Sequence, residues 1–268
     1  MGSGQTKYSE LIRHGAAGAS GTVREPFAIQ AKFPHPNMHV HYARGCTLAE
    51  AYYQSVACPF QLLIVGDALC QPYAKQPRFR MRNEFDAKEV HQGELVFEML
   101  SEDTSPKIHH YEFYIDGRLH SQAENDSWSF NSQSISDGYH EFRIVAVASN
   151  VARNRYRQII PISINNQGAS IDARTTRQKY NWREKFNVEV SSSQRGSVVE
   201  IVHNGRSLGK SKLSKGKAIV RVDANAVGRG PVRLFARTKI NGQTVSSSPI
   251  SVFVEGPISD SIPKLTRK

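Results

Sequence analysis

The feature that most constrains this chain is a short apolar run, LLIV at residues 62–65, set between Pro59 and the pair Gly66-Asp67. A continuous apolar run bounded by turn residues is the pattern of a strand buried on both faces of a parallel sheet. Such a strand needs neighbours on either side and helices on both faces. The roughly seventy-five residues before the sequence changes character bury too little apolar surface to supply them against chain entropy. Residues 1–76 are therefore expected to be the last part of an α/β domain whose earlier half lies upstream.

The surrounding sequence fits short elements. Residues 6–14 predict a helix, with Tyr8, Leu11 and Ile12 as its apolar stripe and Gly15 as its stop. In the small-residue stretch that follows, Thr22-Val23 predicts a brief strand before Pro26. Residues 27–33 predict another short helix, halted by Pro34 and Pro36. HVHY at residues 39–42 reads as a strand. Residues 47–56 predict the best-marked helix, because Thr47 and Glu50 have the spacing of a capping box. Leu48, Ala51, Tyr52 and Ser55 then share one face.

Residues 77–90 turn polar without a sustained period and read as a linker. Beyond them the pattern changes to short strands separated by turn residues, the signature of an all-β sandwich. It also repeats. YEFYIDGRL from Tyr111 matches VEIVHNGRSL from Val199, and GYHEFRIVAVA from Gly138 matches GPVRLFARTK from Gly230. Asp-Gly and Asn-Gly are strong hairpin signals, since a type I′ turn needs positive φ at both central positions. Both matches are offset by about ninety residues, the size of an immunoglobulin-like domain. Two tandem Ig-like β-sandwiches are expected, at residues 91–166 and 168–256, followed by a tail at residues 257–268. Neither contains the paired cysteines of antibody domains. Trp128 and Trp182 are candidate core anchors.

The formal net charge of +11 favours anionic partners. The densest basic runs, RFRMR at residues 78–82 and SKLSKGK at residues 211–217, lack interleaved stacking aromatics, which disfavours a specific nucleic-acid site. An anionic glycan, a cell-envelope surface or a protein remains as partner. No run is long and apolar enough to span a bilayer. The three cysteines, Cys46, Cys58 and Cys70, are an odd number without CxxC spacing, and read as buried thiols.

Two constellations carry possible chemistry. Cys46 precedes a predicted helix N-terminus, where dipole and unpaired N–H groups lower a thiol pKa, and His41 lies five residues earlier as a conceivable base. Against this dyad, no third group orients the histidine. His35, His39 and His41, with Cys46 nearby, form the second set. In a strand His39 and His41 point to one face, as metal ligands do, but a site needs three or four convergent groups. Asp67, at a strand's C-terminal end, reads as a loop cap. No cofactor is implied.

GAAGASGTV, GCTLAEAYYQSV and LLIVGDALCQPYA together resemble the C-terminal end of the caspase/gingipain-like (clan CD) bacterial cysteine peptidases. The first looks like that family's small-residue strand and turn. The second resembles its "G-x-s-x-x-e-A" helix. The third resembles its closing "φφφ-GDP-x-L" strand, with Ala68 in place of the usual proline. The resemblance covers about a quarter of the chain. It implies a truncated caspase-like strand–helix–strand segment followed by Ig-like modules, in an extracellular or envelope protein. It also implies that the catalytic histidine, normally in a Gly-His-Gly context, and the catalytic cysteine precede the matched region. No catalytic residue can be carried over to this chain.

Overall fold

The computed structural model describes residues 7–22, 29–86, 89–102, 106–193 and 198–256. Thr6, Val23, residues 27–28 of the expected second helix, residues 87–88 of the expected linker and the tail at residues 257–268 lie outside the described residues. About half of the described residues lie in β-strands, and few lie in helices.

The first helix is Tyr8–Arg13. The following strand forms earlier than expected, as Gly18–Gly21. Small residues are needed there, because a Cβ on Gly18 would lie 2.0 Å from Leu48 Cδ2. Residues 30–32 make one 3-10 turn. The helix Leu48–Tyr53 carries the capping box: the Glu50 N–H donates to the Thr47 side chain, and the Thr47 N–H donates to Glu50 Oε2 at 2.8 Å.

Two expectations for this segment are overturned. Residues 39–42 are not a strand but part of the helix Asn37–Ala43. Pro36 at its N-terminal edge and Gly45 beyond its C-terminal end, at φ +94°, bracket a helix. Two alternating histidines are too short a pattern to outweigh those signals. The expected strand–helix–strand is therefore helix–helix–strand. The LLIV run does form a strand, Leu63–Gly66, but it pairs antiparallel with Gly18–Gly21 in a two-stranded sheet. It is not buried on both faces: Leu63 is 42% exposed.

The region read as a linker also holds structure. Phe79–Met81 is a strand that pairs antiparallel with Glu94–Ser101. The arginines of RFRMR mask an alternation in which Phe79 is fully buried and Arg80 is exposed. That sheet continues through Ser127–Asn131. Facing it, Ile108–Ile115, Gly138–Ala148 and Arg155–Ile164 run antiparallel, flanked by Arg118–Ala123 and Val90–His91. The core between the two sheets is aromatic. The Trp128 ring stacks on Phe113 at 4.5 Å and on Phe97 at 5.0 Å between centroids.

A second core repeats the arrangement. Ile171–Thr175, Lys185–Ser192 and Lys217–Asp223 form one sheet. Val198–His203 and Gly230–Ile240 lie at the centre of the other, with Arg206–Lys212 and Gln243–Ser246 at the flanks. Gly230–Ile240 also pairs with Ile250–Glu255. Both expected hairpins have the positive φ values of a type I′ turn, at Asp116-Gly117 and at Asn204-Gly205. Each also has a register shift in the strand before its turn. Trp128 is a core residue, whereas Trp182 packs from the edge and carries the Arg229 guanidinium over its ring.

Candidate functional site

The alternative thiol site, Cys46 with His41, finds no support in its surroundings. Cys46 is 8% exposed, and its sulfur accepts a long hydrogen bond from Gln54 Nε2 at 3.8 Å. His41 approaches it only through the backbone, its carbonyl accepting from the Cys46 N–H at 3.2 Å. Among the described residues, no histidine ring hydrogen-bonds to that sulfur. The helix that follows has no amide to spare for a thiolate. The Leu48 and Ala49 N–H groups donate to the carbonyls of Cys70 and Ala68, and the Thr47 and Glu50 N–H groups are used by the capping box. Cys70 instead meets the Tyr42 hydroxyl at 3.3 Å. That hydrogen bond, with burial and neighbouring negative charge behind it, pushes the Tyr42 phenol up to about 12.

The histidine set is dispersed as well. His39 and His41 sit two apart on a helix, so their side chains leave in different directions. His35 Nδ1 accepts the Asn37 N–H at 3.2 Å at the start of that helix. Among the described residues, no group of three or more His, Cys, Asp or Glu side chains is arranged to hold a metal ion. Asp67 accepts the Leu69 N–H at 3.0 Å and ties its loop.

A site that the sequence did not single out lies at the seam of the two sandwiches. The parallel bridge between Gly138 and Ser246 joins a strand of one to a strand of the other. Beside it opens a cavity of about 850 Å³. It is lined by the exposed Asp116-Gly117 turn of the first sandwich and by Tyr139, Arg143, Phe235 and Arg237. The Tyr139 and Phe235 rings, one from each sandwich, lie 5.9 Å apart at 41°. Arg233 ties the same seam. It donates to the Tyr139 hydroxyl at 3.3 Å and approaches Glu141 at 3.6 Å. The signal was present as GYHEFR and LFARTK, but only the fold shows that these two segments share a wall.

An ion pair ties that turn to the neighbouring strand. His140 Nδ1 lies 2.7 Å from Asp116 Oδ2, and His140 Nε2 lies 2.8 Å from the Ser136 carbonyl. Both ring nitrogens face acceptors, an arrangement that favours the imidazolium over the neutral ring. Burial alone pulls His140 down, but the Asp116 hydrogen bond and charge, the Ser136 carbonyl and Asp137 together raise it above its ordinary 6.5. Burial likewise pushes Asp116 up. The hydrogen bonds from His140 and the Glu141 N–H, with the charges of His140 and Arg237, outweigh this and hold it below 3.8.

The pair therefore has a pH window. The raised histidine contributes stability fully below about pH 6.5, and this fades as pH climbs through its folded value. The depressed aspartate contributes above about pH 4, and this fades as pH drops through its folded value. Asp116 is half-exposed, so solvent screening keeps the effect to about 1 kcal/mol. His140→Gln is expected to lower the urea midpoint more at pH 5.5 than at pH 9. Equal differences at the two pH values would show that the charge pair contributes nothing.

No family model matches the chain, and no curated protein matches it. Solved structures resemble it distantly. The fibronectin(III)-like modules of Clostridium thermocellum CbhA are 15% identical, over 67% of this chain and 95% of that one, with a TM-score of 0.29. Bacteroides ovatus SGBP-B, solved with a mixed-linkage heptasaccharide, is 12% identical over 66% of this chain and 47% of its own, with a TM-score of 0.35. The Porphyromonas gingivalis RgpB pro- and mature domains are 19% identical over 32% of this chain and 19% of theirs, with a TM-score of 0.22. The chain thus spans under half the length of the last two. Likenesses this distant assign neither a family nor an activity.

Proposed function

We propose that this chain is the C-terminal part of a bacterial caspase/gingipain-like, cysteine-peptidase-type protein. Residues 1–76 complete an α/β domain begun upstream, and the two sandwiches serve as spacer and binding modules at the cell envelope or outside the cell. The observation that carries this reading is the apolar surface of the first segment. Leu11, Phe33, Val40, Tyr53, Phe60 and Leu69 are all exposed, Phe60 at 93% and Leu69 at 78%. Only Ala19, Cys46, Leu48, Ala51 and Val56 form its buried apolar set among the described residues. Exposed apolar surface so far in excess of core supports the reading that another part of a protein covers this segment. The dyad for peptide hydrolysis belongs, in this reading, to that covering part.

The test is hydrogen exchange on a protein extended upstream of Met1. Amides of residues 60–70 are expected to exchange at least ~10-fold more slowly than in the present chain, and binding of an apolar dye to fall. Unchanged exchange and dye binding, or a genomic stop codon directly upstream, would overturn the fragment reading.

A second reading is favoured by the cavity at the seam: the sandwiches form an adhesive, glycan-binding module. It is compatible with the first, since the cavity touches none of the residues in 1–76.

A further inference from the structure

We infer that the cavity between the sandwiches is a binding site for an acidic saccharide, a pyranose ring bearing a carboxylate or sulfate. The assignment rests on reading the sandwiches as binding modules, and not on the fragment reading of residues 1–76.

The charge balance inside the cavity is the first argument. Its cations are Arg118, Arg143, Arg237 and the His140 imidazolium, and its anions are Asp116 and Glu141. The anions are already used, Asp116 by His140 at 2.7 Å and Glu141 by Arg143 at 3.3 Å. Among the described residues Arg118 and Arg237 make no ion pair at contact distance, although the Arg237 charge is felt at Asp116. The Arg237 Nε is buried without an acceptor, and so is the Arg143 Nε. Those Nε atoms have no accessible surface, so a ligand meets the outer guanidinium edges, and guanidinium groups match planar, multi-oxygen anions better than any other side chain.

The second argument is shape. A simple anion needs no aromatic wall, yet half-buried Tyr139 and Phe235 line the same space. The C–H groups of a pyranose carry partial positive charge and pack against the negative faces of such rings. Sugar hydroxyls need donors and acceptors together, and the Thr244 and Ser246 hydroxyls and Asp116 supply both along the rim. Apolar faces with a few placed polar groups are the usual make-up of a small-ligand site, and about 850 Å³ accommodates one or two sugar rings. An acidic peptide satisfies the arginines equally well, but it brings no apolar C–H face to the rings, of which Phe235 already carries the Arg233 guanidinium 5.7 Å from its centroid.

The full chain should be titrated calorimetrically with a galacturonic acid hexamer, a heparin-derived hexasaccharide, a neutral galactan hexamer and hexaglutamate, at fixed ionic strength. At least one acidic saccharide is expected to bind at least ~10-fold more tightly than the neutral hexamer and hexaglutamate. The first two ligands separate carboxylate from sulfate as the anionic group. Phe235→Leu and Arg237→Gln should each weaken binding by at least ~10-fold, and Arg118→Gln by about 3-fold. Arg118 is exposed, so that variant reports on the site without endangering the fold. Lys212→Gln with Lys217→Gln, on a separate groove of the second sandwich, should leave binding unchanged. If an acidic saccharide binds but the cavity variants do not matter, or the lysine pair matters as much, the site is wrong while the binding-module reading stands. If no acidic saccharide binds, or hexaglutamate binds as well, the proposal fails with its premise.

Discussion

Replacing Asp137 with alanine is expected to lower the unfolding free energy by about 4 kcal/mol, a large part of the stability of an ordinary domain. Asp137 is buried at the end of the first sandwich, just before the strand Gly138–Ala148. Its Oδ1 accepts the Asn166 N–H at 2.7 Å, and its Oδ2 accepts those of Gln167 and Ala169, both at 2.9 Å. One carboxylate thus gathers three backbone donors from the connection between the sandwiches. Alanine removes three charge-assisted bonds and leaves buried N–H groups unmatched. Each such bond contributes about 1.5–3 kcal/mol, and partial access of water to the exposed connection returns some of it. Asp137→Asn keeps one oxygen and is expected to lose about half as much. Urea denaturation followed by tryptophan fluorescence checks this, because Trp128 lies in the first core and Trp182 packs against the second. A loss under about 1 kcal/mol for the alanine variant would mean that the connection is not held by this carboxylate.

Asp137 shows where sequence reasoning stops. The duplication was legible, because Asp-Gly and Asn-Gly turns and the strands before them are local signals whose chemistry does not depend on what packs against them. The Thr47–Glu50 capping box was legible for the same reason. HVHY was misread since alternation over four residues fits a helical turn as well as a strand, and flanking Pro36 and Gly45 decide between them. The Phe79–Met81 strand was hidden by arginines whose charge suggested a loop, although Phe79 and Met81 alternate with them in the manner of an edge strand. LLIV was correctly a strand, but its degree of burial depends on neighbours that a sequence window does not contain. Tyr139 and Phe235 are ninety-six positions apart by number, and nothing local to either predicts the other. The seam is tertiary information. It arises from how one sandwich docks on its neighbour, whereas the cysteine and histidine alternatives could be raised from sequence because their residues lie within a few positions of one another.

Gly138→Val is expected to be as damaging as the loss of Asp137, about 4 kcal/mol, for a different reason. Gly138 has φ +105°, a region closed to β-branched residues. A Cβ there would also lie 2.6 Å from the Ser246 carbonyl oxygen and 2.9 Å from Val245 Cγ1, across the bridge that joins the sandwiches. The nearest atom belongs to backbone, so it cannot swing aside as a side-chain tip does. Strain of about 1–3 kcal/mol and overpacking of similar size both apply. Moving the strands apart relieves the clash but breaks the bridge, and with it the wall shared by Tyr139 and Phe235. Small-angle scattering should then show a longer, looser particle, and saccharide binding at the seam should be lost with the contact. Gly168→Ala is the control. Gly168 also has positive φ, at +76°, but a Cβ there meets nothing within 4 Å. Its cost should stay near 1 kcal/mol, that of backbone strain alone. If both variants lose the same stability and leave the scattering profile unchanged, close approach at Ser246 does not hold the sandwiches together.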